Sequence, residues 1–261
     1  MSEQSILEKF EANPQSSISR VIAVLSGKGG VGKSTIAALL AVELRRAGHR
    51  VGLLDADITG PSIPRLFGVT SKPADIGLGL VPATSSAGIK VMSLNLLLAR
   101  EDDPVVWRGP LIAGAVRQFW TDVIWGCLDY LIIDLPPGTG DAPLTVMQSL
   151  PVDQVVLVSS PQDLAAMVVR KAAKMAGMLG VSISGLIENM AGVACPHCGN
   201  VIEVFGTSHG RHQADALGVP FLGSVTLDPR LTVLSDTGRI EEYSLPALAD
   251  IIPRLAGEDK R

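Results

Sequence analysis

The amino-acid sequence predicts an α/β fold with a mostly parallel central sheet and helices on both faces. Three observations carry that prediction. Short apolar runs rich in branched residues alternate with longer amphipathic stretches, the pattern of strands buried on both sides and joined by crossover helices. The first apolar run leads directly into a loop rich in glycine and lysine, and then into a helical pattern. No glycine–serine or charged linker divides the 261 residues, and no internal repeat is found. Residues 1–18 therefore read as an N-terminal tail and residues 19–261 as one domain.

The elements follow in order. Residues 21–26 (VIAVLS) form a first strand, being short, apolar and β-branched. Residues 34–47 form a helix whose apolar face carries Ile36, Leu39, Leu40 and Leu44, with Gly48 placed to cap its end. Strands are predicted at 51–57, 89–94, 129–135, 154–160, 183–189 and 220–225. Helical patterns occupy 109–124, 143–149, 164–179 and 206–217. The stretch 60–87, rich in Gly, Pro and Ser, reads as a long surface excursion. On helix 164–179, Arg170, Lys171 and Lys174 make a solvated basic face, with Met167, Met175 and Met178 assigned to the core.

Composition narrows the function. With 47% hydrophobic and 18% charged residues the chain can bury a sizeable core, which excludes global disorder. A net charge of −4 gives no sign of wholesale nucleic-acid coating, while leaving room for a small local basic patch. No long uncharged apolar stretch predicts a transmembrane helix, and residues 245–255 contain Pro253 and no basic amphipathic face for a membrane surface. The polar N-terminus has no apolar signal core, so a cytoplasmic protein is expected. Three cysteines are an odd number and do not make a disulfide framework.

The strongest motif is Gly27-Lys28-Gly29-Gly30-Val31-Gly32-Lys33-Ser34-Thr35, a phosphate loop in its required setting between strand and helix. Gly29, Gly30 and Gly32 let backbone N–H groups turn toward an anion, and the following helix points its positive end at it. Lys33 is placed to neutralise the β- and γ-phosphates, and the Ser34 hydroxyl to ligate Mg²⁺. Asp55 and Asp57 stand at the C-terminal end of the second strand, where open parallel sheets bind ligands. Asp134 ends the run Leu131-Ile132-Ile133 as a Walker B aspartate would, holding Mg²⁺ through water. For Asp55 and Asp134 a helix cap or a solvated strand end is the alternative. Gly138-Thr139-Gly140-Asp141 supplies a glycine loop suited to sensing a γ-phosphate.

Cys195-Pro196-His197-Cys198-Gly199 sets two thiols where they can face one metal centre. From spacing alone this is a cluster ligand pair, a zinc site completed by His209 and His212, or a redox dithiol. His197 reads as a bystander. Cys127, just before a core strand, reads as a buried, inert small hydrophobe.

Lys28 in K-G-G-x-G-K-S resembles the deviant Walker A loop of the MinD/ParA/nitrogenase-iron-protein group, in which this lysine reaches across a dimer interface to the partner's nucleotide. LLDADITGPSIP (53–64), WRGP (107–110), LIIDLPPGTGD (131–141), ENM (188–190) and CPHCG (195–199) follow in order. Together, over residues 20–235, they resemble the Mrp/ApbC family of nucleotide-dependent iron–sulfur cluster carriers. The resemblance implies a P-loop NTPase fold and an ATP-binding homodimer with weak ATPase activity. It implies that Asp57 positions the attacking water, that Asp55 supports Mg²⁺, and that Asn189 contacts adenine. It implies that Cys195 and Cys198 from two subunits share a [4Fe-4S] cluster, which passes to apo iron–sulfur proteins. Neither nucleic acid nor membrane is expected as a partner. Thr59 departs from the family, which usually has an aromatic residue there, and residues 205–210 replace a glycine-richer stretch. The alternative is a ParA/MinD-like positioning ATPase with a structural zinc at the cysteine pair.

Overall fold

In the computed structural model, which describes residues 10–57, 60–98, 109–195 and 197–255, the strands run in chain order as β1 (Ser17–Ser26), β2 (Val51–Asp55), β3 (Ala74–Asp75), β4 (Leu80–Val81), β5 (Ala83–Thr84), β6 (Lys90–Ser93), β7 (Cys127–Asp134), β8 (Gln154–Ser159), β9 (Ser182–Ala194), β10 (Val201–Ile202) and β11 (Phe221–Leu227). The main sheet has the order β10-β9-β8-β1-β7-β2-β6-β5, with β11 also on β9, while β3 and β4 form a separate ribbon. All pairs of the main sheet are parallel except β5 with β6 and β10 with β9. The helices are α1 (Lys33–Arg46), α2 (Ile63–Leu66), α3 (Gly109–Thr121), α4 (Asp141–Ser149), α5 (Asp163–Met178), α6 (Gly210–Leu217), α7 (Pro229–Asp236), α8 (Pro246–Ala249) and α9 (Ile252–Leu255).

The alternation of side chains along β1 shows why its sequence is apolar throughout. Ile22 and Val24 pack on the α1 side with Leu39, Leu40 and Leu53. Val21, Ala23 and Leu25 pack on the opposite side with Val116, Val146 and Val169 from α3, α4 and α5. Both faces of the sheet are therefore covered, as the sequence predicts. The loops that follow β1, β2 and β7 gather at one end of these parallel strands, where a ligand can meet all three.

Several expectations are corrected. Strand β9 does not stop at Asn189 but continues to Ala194, because β10 and β11 supply partners for Val193 and Ala194. The excursion 60–87 is partly core: Ile63 is fully buried in α2, and Ala83 is buried in β5. Of the three methionines on α5, Met175 is buried, whereas Met167 and Met178 are 49% and 86% exposed. The face turned to the sheet is set by Val169, Ala172 and Ala176, and Met167 and Met178 lie off it. Helix α7 follows Asp228, which accepts the Arg230 N–H at 2.8 Å, with Pro229 opening the helix, a start signal visible in the sequence. The C-terminal segment breaks into α8 and α9 and buries Leu248, Ile251, Ile252 and Leu255 against α1's face of the sheet. Among the described residues no helix is long and apolar enough to cross a membrane. Thr59, Trp107 and Arg108 lie outside the described residues.

Candidate functional site

The phosphate loop connects β1 to α1, and two of its glycines are dictated by what surrounds them. A Cβ on Gly27 would fall 2.6 Å from the Val168 backbone, and one on Gly32 would fall 2.2 Å from Asn189 Nδ2. Gly30 and Gly32 have φ of 81° and 78°, which turns successive N–H groups to one side. Gly32 is also the residue preceding α1, and no side chain caps that helix. The first N–H groups of a fourteen-residue helix are thus left for an anion.

Lys33, the first residue of α1, is buried and ion-paired with Asp134 Oδ1. Ser34 Oγ lies 3.5 Å from Lys33 Nζ, next to the same carboxylate. The other oxygen, Asp134 Oδ2, is buried without a hydrogen-bond partner. Burial pushes the Asp134 carboxyl above the usual range, opposed by the Lys33 ammonium and the Ser34 hydroxyl.

Asp55 sits level with Asp134 in the β2–β7 register. Its Oδ2 accepts N–H groups from Ser62 at 3.0 Å and Ile63 at 3.1 Å, and the Ser93 hydroxyl at 3.3 Å. Its Oδ1 accepts the Asp57 N–H at 3.2 Å. Asp55 therefore clamps the start of α2 and the loop carrying Asp57, the capping role left open by the sequence. Burial, followed by the charge of Asp134, pushes its carboxyl up to about 8, against the Ile63 hydrogen bond and Lys33. Asp57 is buried beside both, and its charge raises each of them. Three carboxylates thus surround one buried ammonium.

The remaining predicted residues divide. Asn189 donates Nδ2 to the Val31 carbonyl at 2.9 Å and so braces the phosphate loop. Lys28 bonds to Gln162 of its own chain, just before α5. Thr35 is half-buried in the first turn of α1. The Gly138 N–H donates to the Ser26 carbonyl at 3.0 Å, which sets residues 138–141 against the end of β1.

The cysteines occupy the tip of the β9–β10 hairpin. The Cys195 N–H bonds to the Asn200 carbonyl at 2.8 Å and the Gly199 N–H to the Cys195 carbonyl at 2.9 Å, closing a tight turn. The Cys195 thiol is held below its ordinary pKa, first by the His197 N–H, then by the Cys198 N–H and thiol. Such N–H donors favour the ionised form of the thiol. Cys198 is exposed, and Pro196 lies outside the described residues. His209 and His212 are exposed at the start of α6. Among the described residues no group of three or more His, Cys, Asp or Glu side chains could hold a metal within one chain.

Cys127 is exposed, correcting the expectation of a buried thiol. It is the first residue of β7 and lies opposite exposed Ser17 at the sheet's rim, beyond the covering helices. Two residues did not stand out in the sequence. Gln162 holds Lys28, and fully buried Glu188 accepts Ser208 Oγ and the His209 N–H. A glutamate interrupting an apolar strand was the available signal for Glu188.

Comparison with known proteins matches residues 17–255 to the ParA family model described as NUBPL iron-transfer P-loop NTPase. The iron-sulfur cluster carrier protein of Clostridium perfringens (strain 13 / Type A) is 47% identical over 234 residues, 87% of this chain and 82% of that protein. The structure of a nucleotide-binding protein from Archaeoglobus fulgidus in complex with ADP superposes with a TM-score of 0.80 and 48% identity, covering 88% of this chain and 90% of that one. The cell division ATPase MinD of Pyrococcus furiosus shares the fold, with a TM-score of 0.62 and 20% identity over 91% of this chain and 99% of its own.

Proposed function

The chain belongs to the ParA-type family of iron-transfer P-loop NTPases, and from that premise we propose that it is a nucleotide-dependent carrier of iron–sulfur clusters. The observation that carries the reading is the hairpin tip, where Cys195 and Cys198 share one tight turn at the end of the strand that also braces the phosphate loop, and the N–H groups of His197 and Cys198 draw the Cys195 thiol below its ordinary pKa. Thiolates are the ligands of iron–sulfur clusters, and a [4Fe-4S] cluster takes about four of them. One hairpin offers Cys195 and Cys198, so the cargo bridges two hairpins of a homodimer. From there it passes to cytoplasmic apo iron–sulfur proteins.

The nucleotide is ATP, its phosphates taken by the N–H groups of residues 29–34 and by Lys33, which exchanges Asp134 for the phosphate charge. A magnesium ion fits the residues present. Ser34 and Asp134 would hold it, since Asp134 has a buried orphan oxygen and the three carboxylates outnumber the single ammonium. Bound there, it would neutralise charge on the phosphates. Asp57 orients the attacking water and accepts its proton, from a loop fixed by Asp55. Lys28 leaves Gln162 to reach the nucleotide of the second subunit. Hydrolysis is slow and is coupled to movement of the cluster.

Anaerobic reconstitution with iron and sulfide tests the reading. The expected result is about four irons per dimer and transfer to a cluster-free apoenzyme. Stoichiometric zinc with no iron uptake would overturn it.

A further inference from the structure

Glu188 and Asn189 are neighbours on β9 and face opposite sides of the sheet, as successive strand residues do. Both are buried. On one side, Asn189 Nδ2 donates to the Val31 carbonyl in the phosphate loop at 2.9 Å. On the other, the Glu188 carboxylate accepts the Ser208 hydroxyl and, at 3.0 Å, the His209 N–H. A charged acceptor with two donors, removed from water, makes a strong anchor.

Ser208 and His209 end the arm that leaves the cysteine turn. After β10 that arm folds back through a bend in which the Gly206 N–H meets the Glu203 carbonyl at 3.3 Å and Thr207 Oγ1 meets Glu203 Oε2 at 3.1 Å. The other arm is β9 itself, which runs from Asn189 to Ala194 and then Cys195. Just past Asn189 comes Met190 with φ 61°, the one non-glycine residue at positive φ among those described. Both arms of the hairpin thus meet β9 beside Asn189: one continues from it along the strand, and the other is hydrogen-bonded to Glu188.

We propose that Glu188 is a positioning residue that couples nucleotide occupancy of the phosphate loop to the accessibility of the Cys195 and Cys198 thiols. Phosphates entering the loop move the Val31 carbonyl and with it Asn189. Glu188, one residue away, carries that displacement to Ser208 and His209 and so to the far arm of the hairpin. Through the proposed carrier function, on which its biological consequence rests, this coupling sets when a cluster is held and when it is released.

The test uses the cluster-free protein with Cys127→Ser, which removes the exposed third thiol. N-ethylmaleimide alkylation of Cys195 and Cys198 is timed with and without saturating MgADP, and MgADP affinity is measured by calorimetry. In the parent, nucleotide should change the alkylation rate by about fivefold or more, the lower end of common coupling strengths. Ser208→Ala and Glu188→Gln should reduce that response to under about twofold while leaving MgADP affinity within about twofold of the parent. Ser208→Thr, which restores the hydroxyl, should recover it. Should Glu188→Gln not fold, exposed Ser208 still decides the matter. A parent that binds MgADP with no change in thiol reactivity, or a Ser208→Ala protein that keeps the full response, overturns the coupling. A chain that shows the thiol response but loads no iron in the reconstitution above overturns the carrier function and leaves the coupling standing.

Discussion

Without nucleotide, the protein should lose stability as pH rises through neutrality, and Asp55 should be responsible for much of the loss. Its carboxyl is raised from an ordinary value of 3.8 to about 8, chiefly by burial and then by the Asp134 charge. A folded-state pKa above the unfolded one means that the folded protein binds the extra proton. The associated stability is complete below pH 3.8 and is lost as pH climbs toward 8. Each pH unit inside that window removes up to about 1.4 kcal/mol. Integrated from about pH 6 to about pH 8, where the curve begins to flatten, the loss is about 2 kcal/mol. The charge of Asp134, whose own carboxyl is raised by burial, contributes to the shift, so the figure belongs to the pair.

Urea unfolding midpoints across that range, for the parent and for Asp55→Asn, measure the effect. The asparagine keeps an oxygen for the Ser62 and Ile63 N–H groups and removes the titration. It should lower stability at the acidic end by about 1 kcal/mol for altered hydrogen bonding, and it should flatten the pH slope. Saturating MgADP should flatten the parent's slope as well, because its magnesium ion, held beside Asp134, favours the ionised carboxylates. A parent midpoint that does not move between the two pH values, or an Asp55→Asn protein with the parent's slope, would refute the reasoning.

Lys33→Ala should abolish nucleotide binding in equilibrium dialysis, since it removes the buried cation of the loop, while iron binding at Cys195 and Cys198 persists. Gly27→Ala should destabilise the fold by about 1–3 kcal/mol in chemical unfolding, because the new Cβ meets the Val168 backbone at 2.6 Å. Cys195→Ala and Cys198→Ala should each lose the reconstituted chromophore in absorption spectra, and Cys127→Ala, altering an exposed rim residue, should keep it. Asp57→Asn should bind MgATP and hydrolyse it slowly, and mixing it with Lys28→Ala subunits should restore part of the ATPase rate if that lysine acts across the dimer.

The legible parts of this molecule are those fixed by local chemistry. Buried parallel strands must be apolar on both faces, so β1, β2, β7 and β8 stand out as continuous runs. A loop that turns N–H groups toward phosphate needs glycines at set positions, and Gly30 and Gly32 do adopt left-handed φ. Long-range packing was not legible. Nothing near Cys127 in sequence reveals that its strand partner is the exposed Ser17. The continuation of β9 past Asn189 depends on β10 and β11, which arrive later in the chain and from different sides. The role of Asp55 as a clamp for α2 depends on the path of residues 56–63, which periodicity cannot trace.

The phosphate loop and the cysteine turn each carry an imbalance of charge or ligands that a bound species would correct. At the phosphate loop, Asp55, Asp57 and Asp134 cluster about Lys33, one oxygen of Asp134 is buried without a hydrogen-bond partner among the described residues, and burial raises the carboxyls of Asp55 and Asp134 above their ordinary range. A cation arriving with phosphate changes both sides of that balance at once, because the phosphate takes Lys33 as the cation takes the carboxylates. At the hairpin tip the imbalance is of number: it offers two thiols, where the proposed four-iron cluster asks for about four ligands. A second copy of the same hairpin would complete the set, since two-fold symmetry brings identical patches together. Asn189 and Glu188 are adjacent on β9, the first bonded to the phosphate loop and the second to the returning arm of the cysteine hairpin. A change at the first site therefore has a short hydrogen-bonded route to the second.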